Sequence, residues 1–235
     1  MHRRFLVHPW FALRWLMSVL ALAGASAALA SSGDPTAPAG RPLNVAQASA
    51  APLTLTPWFD VLEDPSGTLS FDQVRSPAMA ARFASSGRSG AAFNFGITPS
   101  AWWLRLRLAN PSDGALDRLL EVAYARLSQL DFYAPQSDGT WHQVHTGTTQ
   151  PFDSRGYAHR DFVFNVALPP HAEQTLYLRI ASTTAFVVPT RLWEPAAFHA
   201  FERSDYAAQA WYFGMVSAMV LFNLLLFVRL KDWLY

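Results

Sequence analysis

The sequence predicts an all-β domain, a β-sandwich of jelly-roll type, followed by one transmembrane α-helix. Three observations carry this reading. Short segments alternate apolar and polar residues, turn signals separate them with no amphipathic helix interleaved, and a nearly continuous apolar run extends from Ala207 to Val228. Alternation places every second side chain on one face of a strand, so each segment needs a second layer to cover its apolar face. A jelly roll of about eight strands is a common solution for a domain of this size, and an immunoglobulin-like sandwich satisfies the same alternation.

The apolar run is broken only by Gln209, Ser217 and Asn223. At about 1.5 Å per residue, a helix of these roughly 22 residues is about 33 Å long, enough to cross a hydrocarbon core of about 30 Å. It is apolar on every face, unlike the helix of a soluble protein, which keeps a polar side. Trp211 and Tyr212 near one end, and Trp233 and Tyr235 beyond the other, suit the headgroup level. Arg229 and Lys231 follow the run, whereas Glu202, Arg203 and Asp205 before it carry a net negative charge. The positive-inside rule therefore puts 229–235 in the cytoplasm and the β domain outside. At the other terminus, Arg3, Arg4 and Arg14, the apolar stretch Leu16 to Leu22 and the small residues up to Ala30 read as a secretory signal over 1–30. Cleavage falls after Ala27, Ala28 or Ala30, and an uncleaved anchor is the alternative.

Export without any cysteine excludes a disulfide framework and thiol chemistry, which suits a bacterial periplasm. The expected location is the bacterial inner membrane with the domain on its periplasmic side. Between Leu53 and Tyr206 the 15 carboxylates outnumber the 12 arginines, and no basic run suits nucleic acid. Residues 31–52, rich in Ala, Ser, Pro and Gly, read as a flexible linker. The sandwich is expected over 53–194, a helical connector over 195–206 beginning at Pro195, and the membrane helix over 207–228.

Along the domain, Trp58 to Leu62 reads as a strand, Asp64 to Gly67 as a turn, and Ser70 as the cap of a short helix through Val74. The clearest strand is Ala101 to Leu108. There Trp102, Leu104, Leu106 and Leu108 share one face, assigned to the core, and Trp103, Arg105 and Arg107 share the other. Asn110 to Gly114 ends it as a turn. Further strands are expected at Leu119 to Tyr124, Leu130 to Tyr133, Trp141 to His145, Phe162 to Leu168, Leu176 to Ile180 and Phe186 to Trp193.

Several linked motifs resemble one family. Leu62-Glu63-Asp64-Pro65-Ser66-Gly67-Thr68-Leu69 and Ser100 to Arg107 with Asn110-Pro111 come first. Pro151 to Arg155, His159 to Phe164, Thr175 to Arg179 and Leu192-Trp193 follow in order. Together they resemble the periplasmic sensor domain of the bacterial seven-transmembrane receptors with diverse intracellular signalling modules, and Phe222-Asn223-Leu224 through Tyr235 resembles the end of that family's first membrane helix. The resemblance implies a jelly roll related to carbohydrate-binding modules, then seven membrane helices, and a cytoplasmic output such as a diguanylate cyclase or histidine kinase beyond Tyr235; the expected partner is a small-molecule or carbohydrate ligand.

For chemistry, Glu63, Asp64, Asp131, Asp161 and Glu173 lie beside turns or alternate with core residues, where solvated carboxylates are expected, so they do not read as a glycosidase pair. His142 and His145 point to opposite faces of one strand and cannot clamp one metal as helical neighbours would. No catalytic group, metal or cofactor is assigned. Binding is the stronger reading: Trp103, Arg105 and Arg107 form an aromatic and cationic stripe suited to a sugar ring and its hydroxyls, and Tyr133 is a further candidate. Arg155, Tyr157, His159 and Arg160 add donors in a loop that the resemblance marks as characteristic. The competing reading pairs Arg105 and Arg107 with Glu121 or Asp131 on neighbouring strands. A domain that docks another envelope protein without a small ligand is the alternative function. In the membrane helix, Gly214 and Ala218 allow close approach of another helix and Asn223 a bond across the interface, which admits a homodimer. A reporter active only in the periplasm is expected to be active when fused after Glu202 and silent after Lys231; activity after Lys231 would reverse the topology.

Overall fold

A computed structural model describes residues 41–86, 90–184 and 186–230. The chain divides into two units, 1–34 and 35–235, and every element below belongs to the second. The expected signal (1–30) lies outside the described residues, as do residues 87–89 and the flank from Lys231 to Tyr235.

In chain order the elements are β1 (Leu43–Asn44), β2 (Leu53–Thr54), β3 (Phe59–Asp64), α1 (Phe71–Arg75), α2 (Pro77–Ala80), β4 (Ala84–Ser85), β5 (Ala92–Gly96) and β6 (Ala101–Ala109). Then come β7 (Leu116–Val122), β8 (Gln129–Pro135), β9 (Trp141–Thr146), β10 (Phe162–Leu168), β11 (Glu173–Ala181), β12 (Phe186–Trp193) and α3 (Pro195–Leu230). The first sheet runs β4-β3-β6-β11-β8-β9, with β1 parallel to the last residues of β6. The second runs β10-β7-β12-β2, with β5 on β12. All other pairs are antiparallel, and the chain crosses between sheets from β6 to β7, β7 to β8, β9 to β10, β10 to β11 and β11 to β12, as a jelly roll requires.

The core between the sheets is built from the alternation. Leu104, Leu106 and Leu108 of β6, Leu176, Leu178 and Ile180 of β11, Phe132 of β8 and Phe162, Phe164 and Val166 of β10 are all buried there. Phe132 and Phe164 stack across the two layers at 4.4 Å between ring centroids. Order begins earlier than Leu53: Leu43 and Val45 are buried in this core, and Arg118 Nε donates to the Val45 carbonyl at 3.0 Å. The linker expected over 31–52 is thus corrected from Leu43 onward. Its small-residue composition hid two apolar side chains that bury fully.

Local signals behave as physical chemistry dictates. Ser70 and Gln73 form a reciprocal capping box on α1. Asp64 closes the following turn by accepting from the Gly67 and Leu69 amides. Burial alone would raise its carboxyl, but the bonds from Ser66, Leu69 and Gly67 hold it below the usual carboxylate range. α1 and α2 then lie over the outer face of the first sheet, where Leu62, Val74, Trp103, Tyr133 and Tyr177 form a second buried cluster with Phe71, Met79, Phe83 and Trp141.

The antiparallel registers put the starts of β6, β8 and β10 and the finishes of β7, β9 and β11 at one end, called the upper end below. Gly147, just past β9 there, has φ +136°, and a Cβ at this position would stand 2.3 Å from the Ser128 carbonyl oxygen. The obstacle is backbone, so it cannot swing aside. Gly147→Ala is expected to cost at least about 2 kcal/mol in urea unfolding of the full chain; an unchanged midpoint would contradict this packing.

Candidate functional site

The residues singled out from the sequence lie on two separate faces. On the outer face of the first sheet, Trp103 is not a surface ring. It is fully buried, with Phe71 stacked 4.0 Å above Tyr133 and 6.4 Å from Trp103. Tyr133 is buried too; burial, helped by Asp131 and opposed by Arg179, pushes its hydroxyl up to about 12. Neither aromatic presents a face to a ligand, because α1 supplies the covering layer that alternation alone does not reveal. Arg105 donates from Nε and Nη2 to Asp60 Oδ2 at 3.2 and 2.9 Å and lies over the Phe83 ring, while Arg107 reaches the same carboxylate at 3.4 Å. The neighbouring-strand pairing is thus real, but its partner is Asp60 of β3, not Glu121 or Asp131. Asp131 instead holds Arg179 at 3.3 Å and His145 at 3.0 Å.

The second group clamps the chain's last helix. Arg155 Nη1 donates to the carbonyls of His159 (2.8 Å) and Arg160 (2.6 Å), and its guanidinium covers Phe162. His159 is buried and accepts from the Asp161 amide. Arg160 donates to Asp205 at 2.7 Å. Tyr157 donates to Glu202 at 3.3 Å and its hydroxyl lies 3.2 Å from His199 Nδ1; burial first, then Glu202, raises its hydroxyl above the ordinary range. It therefore stays protonated and remains a donor. Tyr157 and Arg160 tie the β9–β10 loop to α3 and His159 packs on Phe198, while Arg155 braces the loop itself.

Beneath that clamp, Phe198 is fully buried with Leu119, Val163 and Trp193 against the outer face of the second sheet. Trp193 Nε1 donates to Glu121 Oε2 at 2.7 Å in a buried bond. Trp193 thus packs in the seam between the second sheet and α3. The expected connector and membrane helix are one unbroken helix, α3, in which the first turns are docked. Side chains from Trp211 to Leu225 stand exposed, as do Phe227 and Val228, and α3 is long and apolar enough to cross a membrane. Asn223 donates to the Met219 carbonyl of its own helix.

Among the described residues, a cavity opens at each end of the sandwich. One, of about 630 Å³, lies at the end opposite the upper end, where Gln136, Asp138, His142, Asn165 and Gln174 surround a floor that includes Ala134 and Leu168. The other, about 610 Å³, lies at the upper end among Thr98, Ser128, Gln129, Ser182 and Thr183, beside Ile97. His142 and His145 lie on opposite faces, and among the described residues no cluster of three His or acidic residues could hold a metal. His142 and Gln174 are lining residues that sequence reasoning did not select; their inward register on β9 and β11 was the available signal.

Fold and seam together define a β-sandwich domain borne on a long apolar helix. The family described as 7TMR-DISM extracellular 2 matches residues 56–194, and the chain belongs to it. Among solved structures, a carbohydrate-binding module, CsCBM6-3 from Clostridium stercorarium in complex with cellobiose, aligns at 12% identity. It covers 66% of this chain and 96% of its own, with a TM-score of 0.20. No curated protein matches.

Because Phe198 fills the seam, Phe198→Ala is expected to cost about 3–5 kcal/mol of helix docking. Proteolysis between Trp193 and Tyr206 in the full chain should accelerate accordingly, and unchanged protection would show that the seam does not hold the helix.

Proposed function

We propose that the chain is the sensor module of a bacterial inner-membrane receptor, with its sandwich in the periplasm and α3 as its membrane crossing. The observation that carries this is α3 itself: one helix, seated on the sandwich at its start and apolar beyond Ala207. A docked helix can carry a shift of the sandwich into the membrane, whereas a loose tether cannot. An extracellular-domain family supports the same orientation.

The ligand class this reading favours is a small polar molecule, a carbohydrate above all, in the cavity opposite the upper end. Its apolar floor suits a ring face, and amide, imidazole and carboxylate groups suit hydroxyls. The expected coupling to further helices and a cytoplasmic output, a diguanylate cyclase or histidine kinase, is of the usual size, about 1–3 kcal/mol between two arrangements. Docking of an envelope protein would need a broad apolar patch, whereas among the described residues the sandwich exposes three large apolar side chains, Ile97, Phe152 and Val187.

The test is a thermal-shift series on the detergent-solubilised full chain with neutral sugars, uronic acids and other carboxylates. A ligand at about 100 times its Kd stabilises by about 2.7 kcal/mol, a rise of roughly 5–10 °C for a chain of this size. His142→Ala and Gln174→Ala are expected to abolish that rise and Trp103→Phe to keep it. Loss of the rise in Trp103→Phe alone, with the cavity variants unaffected, would move the site back to the first sheet's outer face.

A further inference from the structure

The direction of α3 decides which end of the sandwich faces the bilayer. Pro195 shares a groove with Asp117, Leu119 and Ala167, partway along β7 and β10. Three turns later Asp205 is bonded to Arg160, which precedes the start of β10. α3 therefore climbs the second sheet and leaves it at the upper end. The apolar run begins at Ala207, two residues after Asp205, and Trp211 lies only about 9 Å further along the axis than Asp205. The upper end thus stands within about 10 Å of the headgroup level at which Trp and Tyr settle.

That end also carries the exposed apolar side chains of the sandwich. Among the described residues before α3, the large apolar side chains left exposed are Ile97 (81%), Phe152 (55%) and Val187 (39%). Ile97 lies between β5 and β6, Phe152 in the β9–β10 loop and Val187 near the start of β12, so all three sit at the upper end. Single exposed apolar residues scatter over any surface, but a set confined to the side where the apolar helix departs is what contact with lipid would select. Ile97 also borders the upper cavity, whose lining includes hydroxyls of Thr98, Ser128, Ser182 and Thr183 and no charged side chain. That lining offers hydrogen bonds to uncharged headgroup atoms without stripping water from a charge, while on the Phe152 side of the same end the Arg155 guanidinium lies 4.9 Å over the ring, a cation suited to lipid phosphate.

We propose that the upper end is a membrane foot: Ile97 and Phe152 enter the headgroup layer of the same bilayer that α3 crosses, and the neighbouring hydroxyls bond to lipid headgroups. The domain is then held at two places, by α3 and by the foot, so its tilt is defined. The proposal rests on α3 crossing the bilayer, and the test separates the two.

Because the sequence contains no cysteine, Ile97→Cys, Phe152→Cys, Asp138→Cys and Phe213→Cys each give the full chain one labelling site for an environment-sensitive fluorophore. The variants are reconstituted in zwitterionic phosphatidylcholine vesicles with or without lipids bearing a nitroxide near the headgroup. The expected result is loss of most emission at 97, 152 and 213 and no loss at 138, at the opposite end. Quenching at 213 with none at 97 and 152 would overturn the foot while leaving the membrane crossing intact, and would leave the upper end free for a protein such as a second copy. No quenching at 213 would overturn both.

Discussion

The seating of α3 on the second sheet is the constraint on which the rest of the molecule depends. It places a carboxylate, Glu121, in a nearly dry site, where an ion without partners costs several kcal/mol. Two partners offset that cost: the Arg191 guanidinium at 3.6 Å, directly opposite Glu121 in the β12–β7 register, and the indole N–H of Trp193, which stands opposite Leu119, at 2.7 Å. Phe198 then packs edge-on to Trp193, Tyr157 and His159, with ring centroids 5.3 to 5.8 Å away. Remove the buried bond and the aromatic seam loses the strand-side group that orients it. The direction of α3, and with it the end of the sandwich from which the apolar segment departs, follows from this contact.

How far the fold was legible differs between levels of structure. The period of two in β6 assigns Leu104, Leu106 and Leu108 to one face correctly, since alternation is a property of the strand alone. It says nothing of what lies against the other face. Alternation places Trp103 with Arg105 and Arg107 on the face away from the core, yet a short helix with its own capping box lies over it. The charged neighbours are tolerated because they gather around Asp60, which lies directly opposite Arg105 in the β3–β6 register. Short strands such as β1 and β4 were missed because two residues carry no period.

The loop from Arg155 to Arg160 shows the same limit at the candidate site. Its donors were visible in the sequence as a cluster of Arg, Tyr and His, a composition equally suited to a ligand or to a partner surface. The partners of Tyr157 and Arg160, namely His199, Glu202 and Asp205, are about 45 residues away and become neighbours only because α3 turns back along the sheet. Side-chain chemistry was therefore readable, and its object was not. His142 and Gln174 illustrate the converse, since nothing unusual in either residue marks it until β9 and β11 bring both to one cavity.

β10 is where the proposed ligand site and the helix meet. Its later residues, Asn165 to Leu168, line the cavity opposite the upper end, and Val163 of the same strand packs against Phe198. Arg160, just before the strand begins, holds Asp205. Strands resist compression along their length because each residue is tied laterally, here by continuous pairing with β7 from Phe162 to Leu168. A ligand that displaces one end of β10 would thus shift or tilt the strand as a unit, together with the seam and the clamp at its other end. This is a physical route with a stated two-site element, and it needs no chain of loosely correlated side chains between cavity and membrane.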